Sequence, residues 1–197
     1  MAQHKYSIMD VEDYLLLDRN SKNARYEYID GELRMLAGGS PYHSAIIANL
    51  TVAIGKFLED SPCWIYNSDV QFQLSETRYY HPDVTVSCDE HDHEADDAIQ
   101  YPCLIIEVLS PSTEATDKGE KLRYYQGYPT IQEYIIVDSL SKYIEAYHRE
   151  EDGWKFHTYG PGSIVKLESL DIQFPIDTIY RGMKLTGTRN KQQRTSF

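Results

Sequence analysis

Apolar and polar residues alternate with two periods along this chain, and the changes of period mark its elements. From Asp10 to Asp18, Val11, Tyr14, Leu15 and Leu17 supply one apolar side, which predicts an amphipathic helix. Tyr26–Ile29 and Glu32–Leu36 flank Asp30-Gly31, a strong signal for a two-residue hairpin turn. Ser40-Pro41 offers an N-cap followed by proline at the first helical position. The helix it opens carries Ile46, Ile47, Leu50, Ala53, Ile54 and Phe57 at helical spacing and ends near Asp60.

The period then shortens to that of strands. Trp64–Tyr66, Val70–Leu74, Asp83–Cys88 and Leu104–Leu109 are successive strand segments. The polar run Asp89–Asp97 between the last two lacks the carboxylate spacing of a calcium loop and is expected to be a solvated, mobile insertion. Asp117 followed by Glu120 matches a capping box, so a helix is predicted from Lys118 to Gln126, closed by Gly127 and Pro129. Tyr134–Val137 is a further buried strand, paired with Lys142–His148 across a turn, and Lys155–Tyr159 and Ile164–Leu167 follow. The polar tail Thr186–Phe197 is expected to be disordered. Residues 1–185 thus read as a single α/β domain with helices on both faces of a central sheet. The strand–helix–strand unit sets Leu104–Leu109 parallel to Tyr134–Val137.

Composition narrows the classes. The 197 residues are 41% hydrophobic and 25% charged, an ordinary content for a folded domain. No signal-peptide profile opens the chain, and no apolar run approaches the roughly 20 residues that cross a bilayer. Cys63, Cys88 and Cys103 are odd in number and lack CxxC spacing, which argues against a disulfide framework and a zinc site and for a reduced cytoplasmic compartment. The net charge of −12 weighs against nucleic acid as partner without excluding it, because a carboxylate-bound metal site can sit in an acidic protein.

One residue breaks the hydrophobic pattern. Cys103–Leu109 is apolar on both alternating faces, as in a strand buried from both sides, yet it contains Glu107. An ionised carboxylate there is costly unless a cation or strong donors compensate it. Asp83, after Pro82, opens an earlier strand, and Lys121 lies early in the following helix on one face with Tyr125. An Asp, a Glu from the next strand and a nearby Lys are the parts of a Mg²⁺-dependent phosphodiester-hydrolysing site. The plainer alternatives are a turn-capping Asp83 and a surface Lys121 lying along the sheet.

The segments Pro82-Asp83, Ile106–Thr113, then Asp117, Lys121 and Tyr125, then Glu133–Asp138, together with the Tyr26–Leu33 hairpin and His43, resemble the bacterial restriction-endonuclease-like family. That family, long a domain of unknown function, belongs to the PD-(D/E)XK nuclease superfamily. The resemblance runs from about Arg25 to Asp138. It implies a restriction-endonuclease-like mixed central sheet flanked by helices, with an N-terminal β-hairpin and additional C-terminal antiparallel strands. It also implies a Mg²⁺ (or Mn²⁺) site and DNA hydrolysis, with Asp83 and Glu107 holding the metal and Lys121 positioning the attacking water. The superfamily pattern wants a lysine two residues after the acid, where Leu109 stands here, and Lys121 is the migrated substitute. Glu27 matches an extra metal-binding acid on an earlier element, although a cross-strand ion pair with Arg34 accounts for it as well. Glu32 has a weaker claim. His43 and Tyr125 are candidate substrate contacts, with a core-edge role the plainer account of His43. A homodimer follows by analogy. The rival readings are a catalytically silent DNA- or protein-binding module and a hydrolase of another phosphate ester.

Overall fold

The computed structural model describes residues 8–21, 24–36 and 38–185. The predicted tail therefore lies outside the described residues. Helix α1 (Val11–Asn20) leads into strands β1 (Tyr26–Ile29) and β2 (Glu32–Met35). Their turn takes positive φ at both central residues, 50° at Asp30 and 96° at Gly31, which is why Asp-Gly is required there. Helix α2 (Pro41–Leu58) starts where the sequence places it, with Ser40 Oγ accepting from the His43 N–H at 3.2 Å.

The chain continues through β3 (Trp64–Asn67), β4 (Gln71–Ser75), β5 (Arg78–Tyr80), β6 (Val84–Ser87), the short helix α3 (Glu90–His93) and β7 (Ala98–Ile99). Then come β8 (Leu104–Leu109), α4 (Glu114–Thr116), a π-helical turn (Asp117–Lys121), α5 (Leu122–Gly127), β9 (Glu133–Asp138), β10 (Ile144–Glu150), β11 (Gly153–Tyr159), β12 (Ile164–Leu167) and β13 (Ile172–Pro175). Among the described residues the main sheet runs β11-β10-β9-β8-β6-β3, and a second runs β2-β1-β5-β4-β7. The main sheet is mixed: β8 and β9 are parallel as expected, while β6–β8 and β9–β10 are antiparallel.

The two faces of β8 meet different partners. Ile106 and Val108 pack with Ile46, Leu50 and Ile54 of α2. Ile105 and Leu109 face the other way, into a core with Tyr125 of α5, Tyr134 and Ile136 of β9, and Ile29, Phe72 and Tyr80 of the second sheet. Glu107 alternates with the second set, so it points into the layer between the two sheets. No helix among the described residues is long and apolar enough to cross a membrane.

Four expectations need correction. Strands β5, β7 and β13 are added to the predicted set; Arg78–Tyr80 and Ala98–Ile99 are too short to show a period. The Asp89–Asp97 run is no loose insertion, because Asp92 is buried and accepts from the N–H groups of Gln100 and Tyr101. The helix after β8 starts at Glu114 rather than Lys118, and Asp117 lies inside it instead of capping it. Finally, Cys63 and Cys88 are joined in a disulfide. The β3–β6 register, Trp64 opposite Ser87, sets the two cysteines side by side at the next position. The odd cysteine count therefore did not preclude pairing, and that ground for a reducing compartment falls away.

Candidate active site

Asp83 directly precedes β6. The β6–β8 register places Val84 opposite Ile106, and continued by one residue it sets Asp83 opposite Glu107. Asp83 Oδ2 accepts from the Val108 N–H at 2.7 Å, which ties the two strands together at this point. The same oxygen lies 3.2 Å from His43 Nε2, reaching over from the first turn of α2. That contact raises the His43 pKa, outweighing the burial that would lower it. His43 is thus at the site, as a partner of Asp83, rather than only a core-edge residue.

The opposite wall is the helix after β8. A π turn takes in one residue more than an α turn, and such turns recur at functional sites. Here it carries Asp117 and Lys121, both almost fully buried at 2% and 4% exposure. Lys121 Nζ donates to Glu107 Oε1 at 2.9 Å and lies 2.8 Å from Glu27 Oε1 and 3.6 Å from Asp117 Oδ1. The Tyr125 hydroxyl, one α turn on, donates to the same Glu107 oxygen at 3.4 Å. Tyr134 Oη donates to the Asp117 carbonyl and fixes the backbone of the turn.

Glu27 does not pair with Arg34, although the two are opposite each other in the β1–β2 register. Arg34 turns instead to Glu120 at 2.7 Å and Glu32 at 3.0 Å, which releases Glu27 inward to Lys121. Glu32 faces solvent in that pair and is not at the site.

Three acids and one lysine share a dry space, and their protonation is linked. Burial drives the Glu107 carboxyl well up, with Lys121 opposing and Asp117, Asp83 and Glu27 adding to the rise. Burial alone would discharge Lys121, but Glu107, Glu27 and Asp117 together hold its pKa well above the ordinary lysine value. These directions conflict, since a fully protonated Glu107 could not hold the ammonium. Two oxygens within 3 Å of Nζ decide for a charged lysine. Asp117 is also raised, by burial first, against Lys121 and the Thr113 hydroxyl. Its Oδ1 is buried without a hydrogen-bond partner.

A family model described as "Putative restriction endonuclease" (Uma2) matches residues 11–177 of this chain. The chain belongs to this family. Among its relatives is the "Uncharacterized protein slr1290" of Synechocystis sp., 40% identical over 174 residues covering 87% of this chain and 91% of that protein. A second Synechocystis relative, the "Uncharacterized protein sll1609", is 30% identical over 148 residues, 74% of this chain and 83% of that one. A crystal structure of "a putative nuclease belonging to DUF820" from Anabaena variabilis superposes with a TM-score of 0.68 at 16% identity, covering 79% of this chain and 89% of that chain. The Uma2 chain accordingly has a restriction-endonuclease-like α/β fold, with a mixed central sheet, an N-terminal hairpin and added C-terminal antiparallel strands. Its family is nuclease-like.

In this Uma2 chain the sequence-predicted Asp83, Glu107, Lys121, Glu27, His43 and Tyr125 all converge on one locus. Sequence reasoning did not place Asp117 in this cluster, having spent it on a helix cap. The signal that could have found it is the four-residue spacing Thr113, Asp117, Lys121, Tyr125, one side chain per turn on a single helix face. Among the described residues, no three acidic, histidine or cysteine side chains already gather on one cation position. The centre of the acidic group is taken by Lys121 Nζ.

Proposed function

We propose that this chain is a divalent-metal-dependent endonuclease that hydrolyses DNA phosphodiester bonds, with Mg²⁺ or Mn²⁺ as the metal. The observation that carries the reading is the buried Glu107, cross-strand neighbour of Asp83, held by an ammonium rather than by a structural arginine. The donor set fits such a metal. Asp83, Glu107 and Glu27 offer hard carboxylate oxygens, two of them gathered on the Lys121 ammonium.

When bound, the metal would polarise a phosphoryl oxygen and acidify a coordinated water. The chain's own residues do the rest. The Val108 N–H and His43 both hold Asp83 by Oδ2 and fix its carboxylate beside Glu107. Tyr125 steadies the Glu107 carboxylate. Lys121 carries a full positive charge on a helix fixed by packing, where it can orient a water and offset charge building on the phosphate. Tyr80, whose ring centroid is 5.5 Å from Lys121 Nζ, helps exclude bulk water from that charge. A homodimer acting on both strands is part of the proposal.

Plasmid cleavage with Mg²⁺, Mn²⁺ or EDTA tests it against Asp83→Ala and Glu107→Ala. Metal-dependent cutting lost in both variants is expected; equal residual cutting in all three proteins would remove the claim. The second reading, a DNA- or protein-binding module without catalysis, has Leu109 in its favour, buried where the superfamily pattern carries its lysine. A silent module gives no metal-linked rise in melting temperature.

A further inference from the structure

We propose that Asp117 is the alternate seat of Lys121, receiving the ammonium when Glu107 and Glu27 turn to a divalent cation. The inference rests on the metal-dependent reading above and extends it to a residue with no part in that scheme.

Lys121 Nζ lies between Glu107 Oε1 and Glu27 Oε1, at 2.9 and 2.8 Å. A hard cation engaging those carboxylates meets an ammonium already there, and two positive charges cannot share the space. Lys121 cannot leave for water, because the side chain is 6% exposed and rises from a helix packed against β9. Moving a buried ammonium away from its acids without a new counter-charge is costly. Asp117 Oδ1 supplies one. It is on the same π turn, 3.6 Å from Nζ, and is buried with no hydrogen-bond partner of its own. A shift of under about 1 Å brings Nζ to the 2.7–2.9 Å of a charge-assisted bond.

An orphaned carboxylate oxygen in a dry site is an expense that the fold would otherwise shed. Its place beside the lysine that has to yield gives that oxygen a use. Asp117 is thus a positioning residue: it acts on the metal through Lys121 and keeps that lysine charged and near the phosphate once the metal is in.

The test is a double-mutant cycle read by calorimetric Mn²⁺ titration of the full chain, with no DNA present. Asp117→Asn should weaken Mn²⁺ binding by roughly tenfold, within the usual range for coupled sites. Lys121→Met removes the competitor, so it should tighten binding, and Asp117→Asn added to it should cost nothing further. A loss of equal size in both backgrounds would make Asp117 a direct ligand and overturn the exchange. So would an Asp117→Asn variant that binds as the wild type does. Should Lys121→Met fail to fold, Lys121→Gln serves the cycle, being neutral while still able to donate to Glu107. Absence of saturable Mn²⁺ binding in every protein, wild type included, would sink the metal-dependent reading itself and this inference with it. Binding without coupling would sink only the exchange.

Discussion

Lys121→Met and Glu107→Gln remove the two halves of one buried contact, yet they should act on stability in opposite directions. Lys121 is the cation that three acids face, and its removal leaves Glu27, Glu107 and Asp117 buried with no counter-charge. Uncompensated buried charge after loss of a partner costs about 3–5 kcal/mol. For a chain of this size each kcal/mol lowers the melting temperature by about 2–4 °C, so Lys121→Met should melt roughly 6–20 °C below wild type. Glu107→Gln removes a carboxylate whose pKa burial has pushed well up, while Lys121 keeps Glu27 at 2.8 Å. A group whose folded pKa lies above its unfolded value penalises the fold at high pH. The penalty is absent below the unfolded value, near the ordinary 4.5, and grows as pH climbs from there towards the folded one. Glu107→Gln should therefore match wild type at pH 4 and equal or exceed it at pH 7, although the proposed function has this variant lose DNA cleavage. Urea unfolding at both pH values, followed by circular dichroism, measures this, with Arg19→Met as control because its pair with Asp97 is exposed and worth under about 1 kcal/mol. A Lys121→Met loss no larger than that of Arg19→Met would refute the reasoning. So would a Glu107→Gln protein less stable at pH 7 than at pH 4 relative to wild type.

Other outcomes follow from single contacts. The His43 pKa is raised by Asp83, so its contribution is complete below the ordinary 6.5 and fades as pH rises through the higher folded value; His43→Gln should flatten that part of the stability–pH curve, and an NMR titration of the His43 ring should place its midpoint above 6.5. Ser40→Ala removes the acceptor of the His43 N–H and should lower stability by about 1 kcal/mol, read by urea unfolding, with Ser40→Gly costing only a few tenths. Asp92→Ala leaves the N–H groups of Gln100 and Tyr101 without their acceptor and should cost about 1–3 kcal/mol by the same measurement, where a mobile loop would give no change.

The local chemistry of the fold was legible because it is written in neighbouring residues. Asp30-Gly31 and Ser40-Pro41 specify a turn and a helix start without help from the rest of the chain, and both are in place. Glu107 stood out for the opposite reason, as a residue its own surroundings do not explain. What escaped depends on distant partners. The Cys63–Cys88 bond follows from the register of β3 on β6, which no spacing reveals. The release of Glu27 from Arg34 depends on Glu120, 86 residues from that arginine. The π turn was invisible because a 3.6-residue period gives no hint of a single added residue, and the same slip hid Asp117 behind an apparent cap.

That added residue sets a spacing. A π turn widens to take in one residue more than an α turn, so Asp117 and Lys121 stand four residues apart across it and still meet at 3.6 Å. Gly119 sits within the insertion, and a methyl group added there would meet nothing within 4 Å. Splicing it out would return the segment to plain α geometry and shorten the step from Asp117 to Lys121 from four residues to three, changing how far apart the two charged groups sit. A length change at Gly119 would thereby alter the contact of Asp117 with Lys121 without changing any side chain of the cluster, so in this part of the chain spacing counts as well as identity.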